Sequence, residues 1–403
     1  MHKISIVIPT RNRASLLSFA LRSALAQDFE DFEVVVSDNF STDNTREVVS
    51  RIGDNRARYV RTDRILHMPD SWEFALGHVR GEFVTYLSDD DAIHPQLLSR
   101  ALQVLLESKT EVAVYPFGGI YHHSSSADEA KRNQFQFAHP TGKTSIIQSE
   151  FILDKLSGSE FTHYLPRVLN CLCEMTMIQR VRQRLGRLFF PIAPDYTAGL
   201  AILSEVKEVS FLDDLLLIWG IGKESIGADQ ATRRGKAVSD FLSEFKEEEA
   251  ALYSYAPLKV RTIHNTIANS VLRMRDEIGI SSLTLSPVSY FLRIYDDLVA
   301  LKEAGGDVTV EMAEFFGTLR DQPDDVRCEV EQRIPDHRAS IRRRISNLIG
   351  QGDLRKLIDR GLRRPRLAGS LRTIKGEDHG FSNIFECAQM IDSFLTPSQI
   401  SGN

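Results

Sequence analysis

Between residues 4 and 110 the chain repeats one rhythm, a short apolar run followed by an amphipathic helical pattern. ISIVIP precedes ASLLSFALRSALAQ, FEVVVSDN precedes NTREVVSRI, ARYVRT precedes SWEFALGHV, and EFVTYLSDDD precedes QLLSRALQVLLES. Strands alternating with helices at this spacing predict βαβ units, hence an α/β fold with a mainly parallel sheet flanked by helices. A further strand-like run, VAVYPFGGIY, continues the pattern from Val112.

From about Tyr121 to Lys143 the sequence turns polar, rich in serine, histidine and asparagine, and reads as a long surface loop. Two globular-looking segments follow, MTMIQRVRQRLGRLFFPIAPDY and TAGLAILSEVKEVSFLDDLLLIWGIGKESIG. Beyond about Ala228 strand signals nearly vanish and the periodicity becomes helical. The expected division is an α/β domain over residues 1–228 and a helical C-terminal region over residues 229–403. A chain of 403 residues is long enough for both, at roughly 100 to 200 residues per domain.

A formal net charge of -6 argues against non-specific nucleic-acid binding. The four cysteines, Cys171, Cys173, Cys328 and Cys387, show no CxxC spacing and suit a reduced, cytoplasmic protein. Cys171 and Cys173 are expected on one face of a buried segment. No secretory leader is read at the N-terminus, and no run of about 18 apolar residues predicts a membrane span.

Open parallel sheets bind ligands at the carboxyl ends of their strands. Four polar clusters fall there: Thr10-Arg11-Asn12-Arg13, Ser37-Asp38-Asn39, Arg61-Thr62-Asp63-Arg64 and Asp89-Asp90-Asp91. Three adjacent carboxylates repel one another, so their crowding implies a positive partner. Hard cations such as Mg2+ or Mn2+ take oxygen ligands, commonly one or two carboxylates plus substrate phosphates. Neither a GxxxxGK[ST] loop nor a GxGxxG after the first strand offers another phosphate cradle. The competing reading makes Asp91 a cap for the following helix, with its neighbours solvated.

In order and spacing, IVIPTRNR, VVVSDNFSTDNT and MPDSWEFALGHVRGEFVTYLSDDD resemble the N-terminal half of the inverting GT-A glycosyltransferases of family 2. The resemblance is strong over roughly residues 3–105 and weaker to about Ile226. It implies a nucleoside-diphosphate-sugar donor, a UDP-sugar first among them, and Mn2+ or Mg2+ on the diphosphate. Pro9, Thr10 and Arg13, with Arg11 between them, match the first nucleotide-contacting loop, and Asp38 matches the aspartate that meets the base. Asp89 falls at the ribose contact, and Asp90 matches the metal ligand, with Asp91 beside it. Ser88 stands first in a motif commonly written Asp-Ser-Asp-Asp, so the ribose role stays open between Ser88 and Asp89. Arg61 or Arg64 is a further candidate for base or phosphate.

On the acceptor side the resemblance points to Asp195 in FFPIAPDYTAGLAIL as general base, with helix N-capping as its plainer role and Glu160 and Glu174 as fallbacks. Pro194 replaces the family's usual glutamate, and Gly222 stands near the place of a histidine, leaving Lys223 or Ser225 to meet phosphate. His122 and His123 are expected in the polar loop, and His94 early in a helix. In the C-terminal region Ile341, Ile345, Leu348 and Ile349 recur among Arg342, Arg343, Arg344, Arg363 and Arg364. That pattern suits peripheral contact with an anionic membrane face, or packing within a homo-oligomer. The expected activity is inverting transfer of a sugar to a saccharide or lipid-linked acceptor in cell-surface polysaccharide or glycoconjugate synthesis. The alternatives are a sugar nucleotidyltransferase and a non-catalytic nucleotide-sugar-binding protein of the same fold.

Overall fold

A computed structural model describes residues 2–126, 128–158, 162–223, 225, 253–280, 283–303, 305–334 and 371–395. The first four apolar runs become β1 (Ile4–Thr10), β2 (Phe32–Asp38), β3 (Ala57–Arg61) and β4 (Phe83–Tyr86). The helical patterns between and after them become α1 (Ala14–Leu25), α2 (Thr45–Ile52), α3 (Met68–Leu76) and, after a two-residue strand β5 (Ala92–Ile93), α4 (Leu97–Ser108). All seven residues of β2 are buried, as a central parallel strand covered on both faces must be. One face packs on α1 and α4 through Leu17, Leu21, Leu98 and Ala101. The other packs on α3, α5 (Ser149–Ser157), α6 (Met175–Leu185) and α7 (Pro194–Leu203) through Leu76, Ile152, Ile178 and Leu200.

The run VAVYPFGGIY splits where Pro116 interrupts it. Val112–Val114 is β6, whereas Phe117–His122 is β7 and enters a second sheet. Proline has no N–H to continue a ladder, so the strand changes sheet there. The remaining strands are β8 (Gln134–Phe137), β9 (Thr144–Gln148), β10 (Cys171–Glu174), β11 (Glu208–Leu212), β12 (Leu217–Ile221) and β13 (Arg372–Lys375). The large sheet runs β3-β2-β1-β4-β10-β6-β11-β9 and the smaller one β13-β8-β7-β12-β5. Strands β1 to β4 are parallel, and β10 lies antiparallel between β4 and β6. Cys171 and Cys173 share a buried face of β10 with their sulfurs 3.5 Å apart.

The expected long loop over 121–143 instead holds the end of β7, a 3-10 turn at Glu129–Lys131 and β8. Its signal was QFQF, whose Phe135 and Phe137 are fully buried in alternation, hidden among serine and histidine. β8 pairs antiparallel with β7 and also with β13, which lies far along the otherwise helical C-terminal region. Phe381, Ile384, Cys387, Ile391 and Phe394 follow β13 and share a core with Phe135, Phe137 and Ile218.

The C-terminal region begins its described part with α8 (Ile263–Ile278), started by the Thr262 hydroxyl, which accepts from the Asn265 amide. Gly279, at φ 72°, ends it in the left-handed conformation that glycine adopts without strain. Ile267, Val271 and Met274 of α8 join the core beneath α7. Two further helices, α9 (Pro287–Glu303) and α10 (Thr309–Arg320), form their own core around Phe291, Tyr295, Leu298 and Phe315. The basic stretch containing Arg342, Arg343, Arg344, Arg363 and Arg364 lies outside the described residues. No described helix is long and apolar enough to cross a membrane.

At the amino edge of the large sheet, Glu33 is buried and accepts from Ser5 Oγ at 2.7 Å, Arg58 Nη2 at 2.9 Å and the Arg80 amide at 2.8 Å. Burial alone would push this carboxyl up, but the bonds from Ser5, Arg58 and Arg80 together hold it below its ordinary value. A depressed folded-state pKa contributes stability above the unfolded value, lost as pH falls through the acid range. Glu33→Ala should therefore cost about 3 kcal/mol at neutral pH by chemical denaturation. That difference from the parent should shrink below about pH 4.

Candidate active site

Because β1, β2 and β3 run parallel and in register, Thr10 lies beside Asp38 and Asp38 beside Arg61. All four expected clusters therefore meet at one edge. The loops after β1 and β2 are tied together there. The Asn12 amide donates to Ser41 Oγ at 2.9 Å, the Thr42 amide to Asn12 Oδ1 at 2.8 Å, and the Ala14 amide to Asp43 Oδ2 at 3.0 Å. The last bond places a carboxylate at the start of α1, where the helix dipole favours it. Asn12 sits at φ 54°, a conformation asparagine tolerates better than most residues. Pro9 and Arg11 are half-buried on this rim.

Asp38 is buried and held by the Tyr59 hydroxyl, the Ser41 amide at 2.8 Å and, at 3.8 Å, by Arg61 Nε. Arg61 also donates to the Ser41 carbonyl at 2.8 Å and lies over the Phe40 ring at 4.7 Å. It thus braces the loop that carries Asp38. Arg64 is exposed, 3.6 Å from Asp63.

The three aspartates are all buried; Asp89 and Asp90 share Arg13, and Asp91 turns to another strand. Asp89 accepts from Thr10 Oγ1 at 2.7 Å and from Arg13 Nη1 at 3.0 Å. Asp90 accepts from Ser88 Oγ at 2.5 Å and lies 3.5 Å from Arg13 Nη1. Asp91 accepts the Gly220 amide of β12 at 2.8 Å. The next element is β5 and the N-cap of α4 is Gln96, so Asp91 does not cap that helix. Burial raises the Asp91 carboxyl well above its ordinary range, and Asp90 adds to this against the Gly220 amide. Burial also raises Asp89, with Arg13 and Thr10 opposing. Among the described residues no three histidine, cysteine or carboxylate side chains converge into a complete metal cage. An acidic loop with an excess of buried negative charge fits the other kind of site, where Mg2+ or Mn2+ completes its shell with substrate phosphates.

The backbone of this loop is fixed from below. His123 Nε2 lies 2.8 Å from the Asp90 carbonyl, and Gly220 packs against the same atom. His122 and His123 are therefore not residues of an exposed loop: His122 ends β7 and both are buried. His94 is buried before α4 rather than within it, with Nε2 3.3 Å from Asp392. Lys223 is exposed, and the Ser225 amide donates to the Gly222 carbonyl at 3.3 Å.

Asp195 lies in the first turn of α7, whose N-cap is Ala193, so the expected capping role does not hold. Its Oδ2 is 3.5 Å from Arg167 Nη1. Burial raises its carboxyl above the ordinary value, with Arg167 opposing. Arg167 lies between the rings of Phe117 at 4.4 Å and Tyr196 at 5.0 Å and donates to the Tyr196 hydroxyl at 3.2 Å. Phe117 also lies 6.4 Å from Trp219 of β12, the strand whose Gly220 amide holds Asp91, so Arg167 is linked by packing to the acidic loop as well as to Asp195. Sequence reasoning missed Arg167 because YLPRVLN carries no periodic pattern. Glu174, by contrast, pairs with Phe83 at the start of β4, the opposite edge from the acidic loop. It is removed as a base by that position. Glu160 lies outside the described residues.

Residues 5–166 match the family model described as Glycosyl transferase family 2. Over 172 residues the chain is 32% identical to the GalNAc(5)-diNAcBac-PP-undecaprenol beta-1,3-glucosyltransferase of Campylobacter jejuni, covering 42% of this chain and 53% of that one. It is 23% identical over 204 residues to the UDP-Glc:alpha-D-GlcNAc-diphosphoundecaprenol beta-1,3-glucosyltransferase WfgD of Escherichia coli, covering 50% and 70%. The chain thus spans about half the length of the first of these relatives. Among solved structures it is similar to S. aureus TarS 1-349 in complex with UDP, at 16% identity and TM-score 0.46, covering 83% of this chain and 92% of that one. The mixed, mostly parallel sheet flanked by helices is of the GT-A type.

A Cβ added at Gly220 would lie 1.6 Å from the Asp90 carbonyl oxygen and 2.4 Å from His123 Nε2. Gly220→Ala must therefore displace the acidic loop, at a cost of about 1–3 kcal/mol in denaturant unfolding. Gly317→Ala, where an added Cβ meets nothing within 4 Å, should be neutral or slightly stabilising. Equal unfolding midpoints for the two variants would refute the tight approach at Gly220.

Proposed function

We propose that this chain, whose residues 5–166 belong to glycosyl transferase family 2, transfers a sugar with inversion from a nucleoside diphosphate to an acceptor hydroxyl. The donor is a UDP-sugar, and the product belongs to polysaccharide or lipid-linked glycoconjugate synthesis. The observation that carries this reading is that a buried acidic loop and a separate, partly buried carboxylate, Asp195, are both linked to Arg167, the first through Trp219 and Phe117 and the second directly. One side suits a diphosphate with its cation, and the other suits a hydroxyl that must lose a proton. The names of the relatives, two of them glucosyltransferases acting on diphosphoundecaprenol-linked substrates, support the acceptor class.

On the donor side, Asp38 and the joined loops carrying Pro9, Thr10, Arg11 and Arg13 receive the nucleoside. Arg61 braces them. Asp89, oriented by Thr10 and Arg13, meets the ribose. Asp90, with Asp91, holds Mn2+ or Mg2+, which when bound neutralises charge on the diphosphate. On the acceptor side, Trp219, packed against the ring of Phe117, offers a half-buried aromatic face to a sugar ring. Asp195 accepts the acceptor hydroxyl's proton as that oxygen bonds to the anomeric carbon and the diphosphate oxygen leaves. A single displacement inverts the anomeric centre.

The helical region after residue 228 covers α7 through α8 and so supports the acceptor side. In this reading the protein works at the inner face of a membrane that holds its acceptor.

Asp195→Asn keeps the size of the side chain and removes its basicity. Turnover should fall about 100-fold or more while affinity for UDP with Mn2+ stays near the parental value. Because burial raises Asp195, the acid limb of the parental pH–rate profile should lie above the ordinary aspartate range, activity falling as the base is protonated. Asp90→Ala should instead abolish the Mn2+-dependent part of UDP binding and leave the fold intact, as read by calorimetry and thermal melting. Release of pyrophosphate rather than UDP from the donor would overturn transfer in favour of nucleotidyl chemistry.

A further inference from the structure

Arg167 is built as a binding group rather than as a structural ion pair. A guanidinium that closes a buried salt bridge normally meets its carboxylate with two short parallel bonds of about 2.7–2.9 Å. Arg167 instead approaches Asp195 through one nitrogen at 3.5 Å, and the same Nη1 serves the Tyr196 hydroxyl. Its Nε and Nη2 make no hydrogen bond or ion pair with any described residue. The group is nevertheless held flat between Phe117 and Tyr196, and three-quarters of the side chain is shielded from solvent. A rigid planar fork with one edge open is suited to oxyanions.

The backbone tells the same story independently. Val168 sits at φ 54°, a region that a β-branched residue enters only under strain. That strained turn is locked by the Tyr86 amide donating to the Val168 carbonyl at 3.0 Å and by the Arg167 amide donating to Asn170 Oδ1 at 2.9 Å. Strain of this kind persists where surrounding structure over-determines it, and here it aims the preceding side chain. Phe117 in turn packs 6.4 Å from Trp219, whose neighbour Gly220 donates its amide to Asp91, so one run of contacts leads from the acidic loop through Phe117 to Arg167 and Asp195, the path a donor's diphosphate would follow.

We propose that Arg167 binds the terminal phosphate of the donor's diphosphate, holding the leaving group between Asp91 and Asp195. This assignment rests on the reading of the chain as a nucleoside-diphosphate-sugar transferase. When the bond from the anomeric carbon to the diphosphate oxygen breaks, its electron pair remains on that oxygen, beside the guanidinium.

Calorimetric titration of the full chain with UDP and with UMP, in Mn2+, tests it on the parent, Arg167→Gln and Arg167→Lys. Arg167→Gln should weaken UDP about tenfold or more and leave UMP unchanged, because UMP lacks the terminal phosphate. Arg167→Lys, which keeps the charge but not the fork, should fall between. If Arg167→Gln does not fold by thermal melting, the lysine variant carries the comparison. Equal weakening of UDP and UMP, or no weakening of either, overturns the assignment while leaving the donor reading standing. A parent that binds neither UDP nor GDP overturns the donor reading and Arg167's role with it.

Discussion

The stretch 89–91, held to β12 by the Gly220 amide on Asp91, joins two sheets that share no strand. On one side of it, Asp89 is bonded to Thr10 at the end of β1 in the large sheet. On the other, Ala92 and Ile93 become β5 and pair with β12 in the small sheet. The acidic stretch is thus the seam of the molecule, and its geometry depends on both sheets being complete. Only a glycine lets β12 come close enough, since any Cβ at position 220 would occupy the space of the Asp90 carbonyl.

Three adjacent carboxylates are tolerated at this seam because two of them are tethered in different directions. Asp89 takes Thr10 and Arg13, and Asp91 takes a backbone amide. Asp90, between them, has Ser88 and a longer approach to Arg13. Burial still works against the charged forms of Asp89 and Asp91, against the pull of these neighbours. The same logic operates at Asp195, which is partly buried with one arginine at 3.5 Å.

The later part of the chain supports both Asp195 and the acidic loop by packing. Helix α8 closes the core under α7, which carries Asp195. β13 and the residues after it close the core under β5, β7 and β12, which carry the seam. Asn133 fixes this last contact, its Nδ2 donating to the Phe381 carbonyl at 3.0 Å. A region whose own sequence pattern is helical therefore contributes to the rigidity of a site formed mainly by an α/β domain.

Local periodicity decided the parallel half of the large sheet. Ile4–Thr10, Phe32–Asp38, Ala57–Arg61 and Phe83–Tyr86 alternate with helices in a way that permits few other folds, and the residues ending them had to share an edge. Asp89, Asp90 and Asp91 were legible for the same reason, as was the placement of Asp195 near a helix start. What the sequence alone did not decide were the features made by distant partners. Strand β8 pairs with residues more than two hundred positions away, His123 is buried because β12 lies beside it, and Asp91 ignores the helix ahead of it for an amide in β12. Arg167 lies in a stretch without period, and its meaning comes from Phe117, Tyr196, Asp195 and Asp91 arriving around it. Periodicity reports which face of an element is buried, whereas a site is set by which elements meet, and long-range pairing alone brings those together.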